Sequence, residues 1–124
     1  MIFHITTADH WQAAQQLGQY QADSLTTEGF IHASEGHQVF DVANAFYRGQ
    51  DNLVVLKIDP HKLNATVRWE APVHPQVDQA DQVSNHQQFP HIYGGINLDA
   101  VSGISVLVAG EDGRFVALSD SKVS

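Results

Sequence analysis

The sequence predicts one small α+β domain, and three observations lead there. Two stretches carry apolar residues at helical spacing, Trp11, Ala14 and Leu17 in the first and Val39, Val42, Ala43 and Phe46 in the second. Short β-branched and apolar runs lie around them, the clearest being Leu53 to Ile58. The chain closes on two more such runs, Val101 to Ala109 and Phe115 to Leu118, with Glu111-Asp112-Gly113 between them as a hairpin turn. At 124 residues and 43% hydrophobic content, the chain is globular in composition, the size of one ordinary domain and too short for two.

The elements follow in order. Ile2 to Ile5 reads as a first strand around His4. Thr6 or Thr7 is placed to cap the next helix, because a hydroxyl there accepts an otherwise unpaired backbone N–H, and Gly18 ends that helix. Residues 19–28 read as a loop. Phe30-Ile31-His32-Ala33 is a buried strand ending at Ser34, itself a candidate N-cap for a second helix over roughly 36–48 that Gly49 stops. Leu53 to Ile58 is a central strand closed by Asp59-Pro60, and Val67 to Glu70 is another short one. From Ala71 to Gln88 no period survives, and so long an irregular stretch reads as a functional or flexible loop. Ser119 to Ser124 is a polar tail, so the domain is expected over residues 1–118.

Composition narrows the function. The formal net charge is −8, with 6 Lys+Arg against 14 Asp+Glu, which disfavours extended DNA or RNA as a partner. A single small phosphorylated ligand stays compatible, since one or two arginines and a helix N-terminus suffice for it. There is no cysteine, hence no disulfide, thiolate nucleophile or thiolate metal site. No apolar run approaches the ~20 residues that span a bilayer, and the start lacks the basic and apolar regions of a signal peptide. The expected partner is a small molecule, with no membrane, and the expected location is the cytoplasm.

Several residues carry potential chemistry. His4 lies in an apolar strand, where imidazole serves equally as a core hydrogen-bonder or as a ligand contact. His32, Ser34 and Phe30 share one face by the period of two, and a polar pair at a helix N-terminus could receive a phosphate. Glu70, beside Trp69 at a strand end, would become a general base if partly buried. Arg68 is expected on the opposite face. Phe89-Pro90-His91-Ile92-Tyr93-Gly94-Gly95 reads as an irregular stretch whose rings could stack on a planar ligand, with His91 or Tyr93 as the polar contact. Thr27 and Gly29 are loop candidates ahead of the His32 strand. His10, His37, His61, His74 and His86 stand in polar settings and read as surface residues.

Taken together, four segments resemble a known family. They are Ile2-Phe3-His4-Ile5, Thr27-Glu28-Gly29-Phe30-Ile31-His32-Ala33-Ser34, Trp69-Glu70 and Phe89-Pro90-His91-Ile92-Tyr93-Gly94, in that order. They resemble the bacterial domain of unknown function family 952, from Met1 to about Leu118. The resemblance implies an ADP-ribosyltransferase-like fold, a compact, bent and split antiparallel sheet with two main helices. It further implies NAD or a related nucleotide as ligand. His4 would then hold a ribose, His32 a phosphate or the nicotinamide edge, and Glu70 would stabilise a cationic sugar. Thr27, Gly29, Phe30, Ser34, Trp69, Phe89, His91, Tyr93 and Gly94 would line the ligand. The Arg-Ser-Glu signature of such transferases is absent, so a non-catalytic binding module is the second expectation. A metal-dependent hydrolase using His4, His32 and His91 is the third.

Overall fold

The computed structural model describes residues 1–72 and 88–120. β1 (Ile2–Thr7) pairs antiparallel along its whole length with β4 (Leu53–Ile58), Ile2 opposite Ile58 and Thr7 opposite Leu53. β4 pairs in turn with β8 (Val101–Ala109), and β8 with β9 (Phe115–Asp120), which gives the order β1-β4-β8-β9. β4 is buried everywhere except Lys57. Its alternate residues serve two cores: Val54, Leu56 and Ile58 join Ile2, Trp11 and Ile92, while Leu53 and Val55 join Ile5, Val39, Ala43 and Phe115. A strand covered on both faces has no reason to alternate with polar residues, and so it reads as one apolar run.

Two smaller antiparallel sheets are also present among the described residues. One has the order β3-β6-β5, from Ile31–His32, Phe89–Tyr93 and Thr66–Glu70. The other pairs β2 (Gln19–Tyr20) with β7 (Ile96–Asn97). The α+β class with antiparallel strands is therefore present, divided among three sheets. Residues 89–93, expected to be irregular, form the central strand of the sheet that carries His32 and Glu70.

α1 (Ala8–Leu17) is capped by Thr7, whose hydroxyl accepts from the His10 N–H at 3.0 Å, and closed by Gly18 at φ 84°. Trp11 and Ala14 are buried, but Leu17 is 81% exposed, so the expected stripe stops one turn early. The loop expected over 19–28 holds β2 and a short helix, α2 (Asp23–Thr27). Neither is long enough to show a period. α3 (Val39–Phe46) is shorter than expected and follows a 3-10 turn at Gly36–Gln38. Ser34 does not cap it. Ser34 still exchanges backbone hydrogen bonds with Phe3, at 2.7 and 2.8 Å, and Glu35 forms a reciprocal capping box with Gln38 instead.

The C-terminal hairpin turns where expected, with Gly113 at φ 84° and the Arg114 N–H donating to Asp112 Oδ1. β9 runs two residues beyond Leu118, through Ser119 and Asp120. Most of the irregular stretch, with His74, His86 and the acidic Asp78–Asp81 region, lies outside the described residues, as do residues 121–124. Among the described residues, no helix is long and apolar enough to cross a membrane.

Candidate functional site

Strand register assembles the site. β3 and β6 pair so that His32 stands directly opposite His91, with ring centroids 5.7 Å apart. Phe30 packs onto both, stacked on His91 at 4.0 Å and edge-on to His32 at 4.9 Å. β5 then brings Glu70 opposite Phe89. Glu70 Oε1 accepts hydrogen bonds from His91 Nδ1 at 2.8 Å and from the Tyr93 hydroxyl. The Tyr93 bond, then the His91 bond, hold the Glu70 carboxyl below the usual range, and the same carboxylate raises the Tyr93 phenol. An ionised carboxylate only accepts, so His91 Nδ1 carries the proton. Nε2 of the neutral ring is then a lone pair. It has no hydrogen-bond partner among the described residues, and His91, 2% exposed, lines a cavity.

That cavity measures about 490 Å³. Its polar lining includes His4, His10, Tyr20, His32, Ser34 and His91, and its apolar lining Phe3, Val42, Phe46, Tyr47, Leu53 and Phe89. His4 is fully engaged. Its Nδ1 lies 2.5 Å from the His32 carbonyl oxygen, which can only accept, so Nδ1 is the donor. Its Nε2 then accepts from the Tyr20 hydroxyl at 2.8 Å. One phenol has one proton, which leaves the Thr6 hydroxyl, 3.0 Å away, as donor to Tyr20. Burial pushes His4 down to about 4 and Tyr20 up to about 12, so the whole chain of hydrogen bonds is neutral at pH 7.

The expected site residues fall into three groups. His4, His32, Ser34, Phe89 and His91 line the cavity. Phe30, Glu70 and Tyr93 support His91 from behind. Thr27, Gly29, Trp69 and Gly94 are not among the lining residues. Thr27 bonds within α2, and the Trp69 indole donates to Glu35 Oε2 at 3.2 Å. Arg68 corrects its expectation: residues two apart on a strand share a face, and its guanidinium lies 5.3 Å over the Tyr93 ring, beside Glu70. His10, expected at the surface, lines the cavity with its ring 4.9 Å from that of Tyr20. Tyr20 itself escaped the sequence analysis, since no local pattern marks a two-residue strand. The described residues contain no group of three metal-ligating side chains, and His4 has no ring nitrogen left for a metal.

Gly94 turns the chain from β6 into β7 at φ 155°, and a Cβ there would stand 2.9 Å from that of Ala65. We expect Gly94→Ala to cost about 1–3 kcal/mol in urea unfolding through backbone strain and contact. A loss below about 0.5 kcal/mol, the range of ordinary surface changes, would mean that the turn relaxes freely.

The geometry can be set beside known proteins. A family model described as "Protein of unknown function (DUF952)" matches residues 5–104. The chain belongs to the DUF952 family. This DUF952 chain is similar to the crystal structure of protein CC0527 from Caulobacter crescentus, at 28% identity, 93% coverage of this chain, 92% of that chain and a TM-score of 0.77. A double mutant of CC0527 matches with the same identity and coverage and a TM-score of 0.76. The solution NMR structure matches at 29% identity over 90% and 88% of the two chains, with a TM-score of 0.70. No curated protein matches. The family and its fold are thus fixed by likeness, whereas chemistry has to be argued from the residues.

Proposed function

We propose that the cavity is the active site of a small-molecule enzyme in which His91 is the general base and Glu70 orients it. One observation carries this reading: the Glu70 carboxylate holds the His91 Nδ1–H, and Nε2, without a partner among the described residues, belongs to a ring lining the cavity. A carboxylate on one imidazole nitrogen fixes the tautomer and leaves the other as acceptor for a substrate proton. A base so placed contributes about 10²–10⁴-fold to a rate. His32, across the strand pair and 3.1 Å from Glu28 Oε1, is a second imidazole that can return the proton.

The finer form of this proposal is an ADP-ribosyltransferase-like fold acting on NAD or a related nucleotide, with His4, His32 and Glu70 as the catalytic group. In its support, His4 and His32 line the same cavity, and Glu70 is one hydrogen bond from a third lining residue. Their division of labour differs from the simplest version. His4 has no nitrogen to offer a ribose and acts as a positioning residue through the His32 carbonyl, while Glu70 acts through His91.

A thermal-shift screen against NAD, ADP-ribose and nucleosides, followed by product analysis, tests this. A ligand at a hundredfold over its Kd stabilises the fold by about 2.7 kcal/mol. The expected result is a stabilising compound that the protein turns over and that His91→Gln turns over at least about 10²-fold more slowly. Saturable binding with no turnover would make the protein a binding module instead. Independently of any ligand, ¹⁵N NMR should show His91 as the Nδ1–H tautomer at neutral pH. The Nε2–H tautomer would remove the proposed base.

A further inference from the structure

The charged groups around the cavity are one-sided. Arg48, Lys57, Lys62, Arg68 and Arg114 are the lysines and arginines among the described residues, and none of them lines it. Residues 73–87, which follow the lining residue Pro72, contain no lysine or arginine either. Asp23 and Glu28 do line it. Of the imidazoles beside them, His32 is paired with Glu28 and His91 with Glu70, and the His10 ring packs on Tyr20. His4 is held neutral by burial.

Helix N-termini, the other source of anion affinity, are already occupied. The 3-10 turn after Ser34, where a phosphate could have been expected, is capped by the Glu35 carboxylate. α1 carries Asp9 in its first turn and its cap hydroxyl is taken by the His10 N–H, and α2 carries Asp23. A phosphate entering this cavity would give up its water to face the Asp23 and Glu28 carboxylates, with no lysine or arginine of the described residues lining it to compensate. The cavity lining also includes Phe3, Val42, Phe46, Tyr47, Leu53 and Phe89, apolar surface suited to a flat apolar body.

We infer that the cavity selects an uncharged molecule with a flat apolar body and one hydrogen-bond donor, received by His91 Nε2, and discriminates against phosphorylated and other anionic compounds. This rests on the cavity being the ligand site, as proposed above. Of a nicotinamide nucleotide it would keep the ring and sugar and leave the pyrophosphate outside.

Two fluorescent probes that share one skeleton test the inference directly. N-phenyl-1-naphthylamine is neutral and carries an N–H, and 8-anilinonaphthalene-1-sulfonate adds a single negative charge. The neutral probe is expected to bind at least about tenfold more tightly, which corresponds to about 1.4 kcal/mol. Asp23→Lys, at an exposed helix start on the cavity lining, should narrow that gap by raising sulfonate affinity severalfold more than that of the neutral probe. Phe46→Ala, on the partly exposed apolar lining, should weaken the neutral probe severalfold. Equal or tighter binding of the sulfonate would overturn the inference, and so would failure of the neutral probe to bind. Neither result touches the base assignment, which the His91 tautomer decides without a ligand.

Discussion

Acidifying the protein from pH 7 to pH 4 is expected to remove about 3 kcal/mol of folding free energy through His4 alone. The folded ring has its pKa lowered by burial from 6.5 to about 4, whereas the unfolded chain keeps the ordinary value. Above 6.5 neither state binds the proton, so the stability is fully present. Between 6.5 and about 4 only the unfolded chain is protonated, and stability falls with pH; below about 4 the folded ring is protonated too and the loss levels off. Each tenfold difference in proton affinity is about 1.4 kcal/mol, which gives the magnitude. Carboxylates such as Glu70, whose pKa is also lowered, add an acid loss of their own. His4→Gln separates the two, because its amide can donate and accept but cannot titrate. The variant should be less stable at pH 7 by about 1–3 kcal/mol, from imperfect pairing of the His32 carbonyl and Tyr20. Urea unfolding across pH 4–7.5 should then show that deficit shrinking and closing at the acid end. A constant deficit at every pH would mean that His4 is not the buried neutral base described here.

The fold was legible where one face or both faces of an element enter a core over several residues. β1, β4 and the β8–β9 hairpin have that length, and α1 has a hydroxyl cap and a closing glycine that mark its ends. Tyr20 shows the opposite case. It is 1% exposed and completes the hydrogen bonds of His4, yet it sits in two residues of strand paired with a segment far along the chain. Local period carries no trace of such a contact. His10 misleads for a related reason. Asp9 and Gln12 close by are polar and exposed, whereas its own ring packs on Tyr20.

The candidate site was legible as residue types and hidden as connectivity. His32, Glu70 and His91 stand out individually, but the bond between Glu70 and His91 exists only through the β5–β6 register, across a stretch of sequence without period. In the mechanism proposed here, that register makes Glu70 an orienting residue and not the direct catalyst. In the same way, a serine before a helix suggests an anion-binding cap, and only the structure reveals that Ser34 is engaged in a backbone bridge to Phe3 and that Glu35 holds the cap.

Phe30→Ala should have the largest single effect on both stability and site geometry. The side chain is 8% exposed, and truncating so buried a phenylalanine costs about 3–5 kcal/mol. Part of that is the ring contacts with His32, His91 and Tyr93, and aromatic pairs are worth about 0.5–1.5 kcal/mol beyond burial. Phe30→Leu keeps most of the volume and loses the flat face, so urea unfolding of the two variants divides packing from stacking. The consequence for chemistry lies at His91. Its ring is held by Glu70 at one edge and by Phe30 across one face, and removing the face lets the ring tilt and lets water compete for the Glu70 bond. ¹⁵N NMR of Phe30→Ala should therefore show His91 populating both neutral tautomers, where the parent protein shows Nδ1–H. If the alanine variant loses stability but keeps one tautomer, the carboxylate alone orients the base. If Phe30→Leu also mixes tautomers while remaining well folded, the stacked ring is as much a positioning residue as Glu70, and the aromatic cluster around His91 is part of the proposed catalytic apparatus.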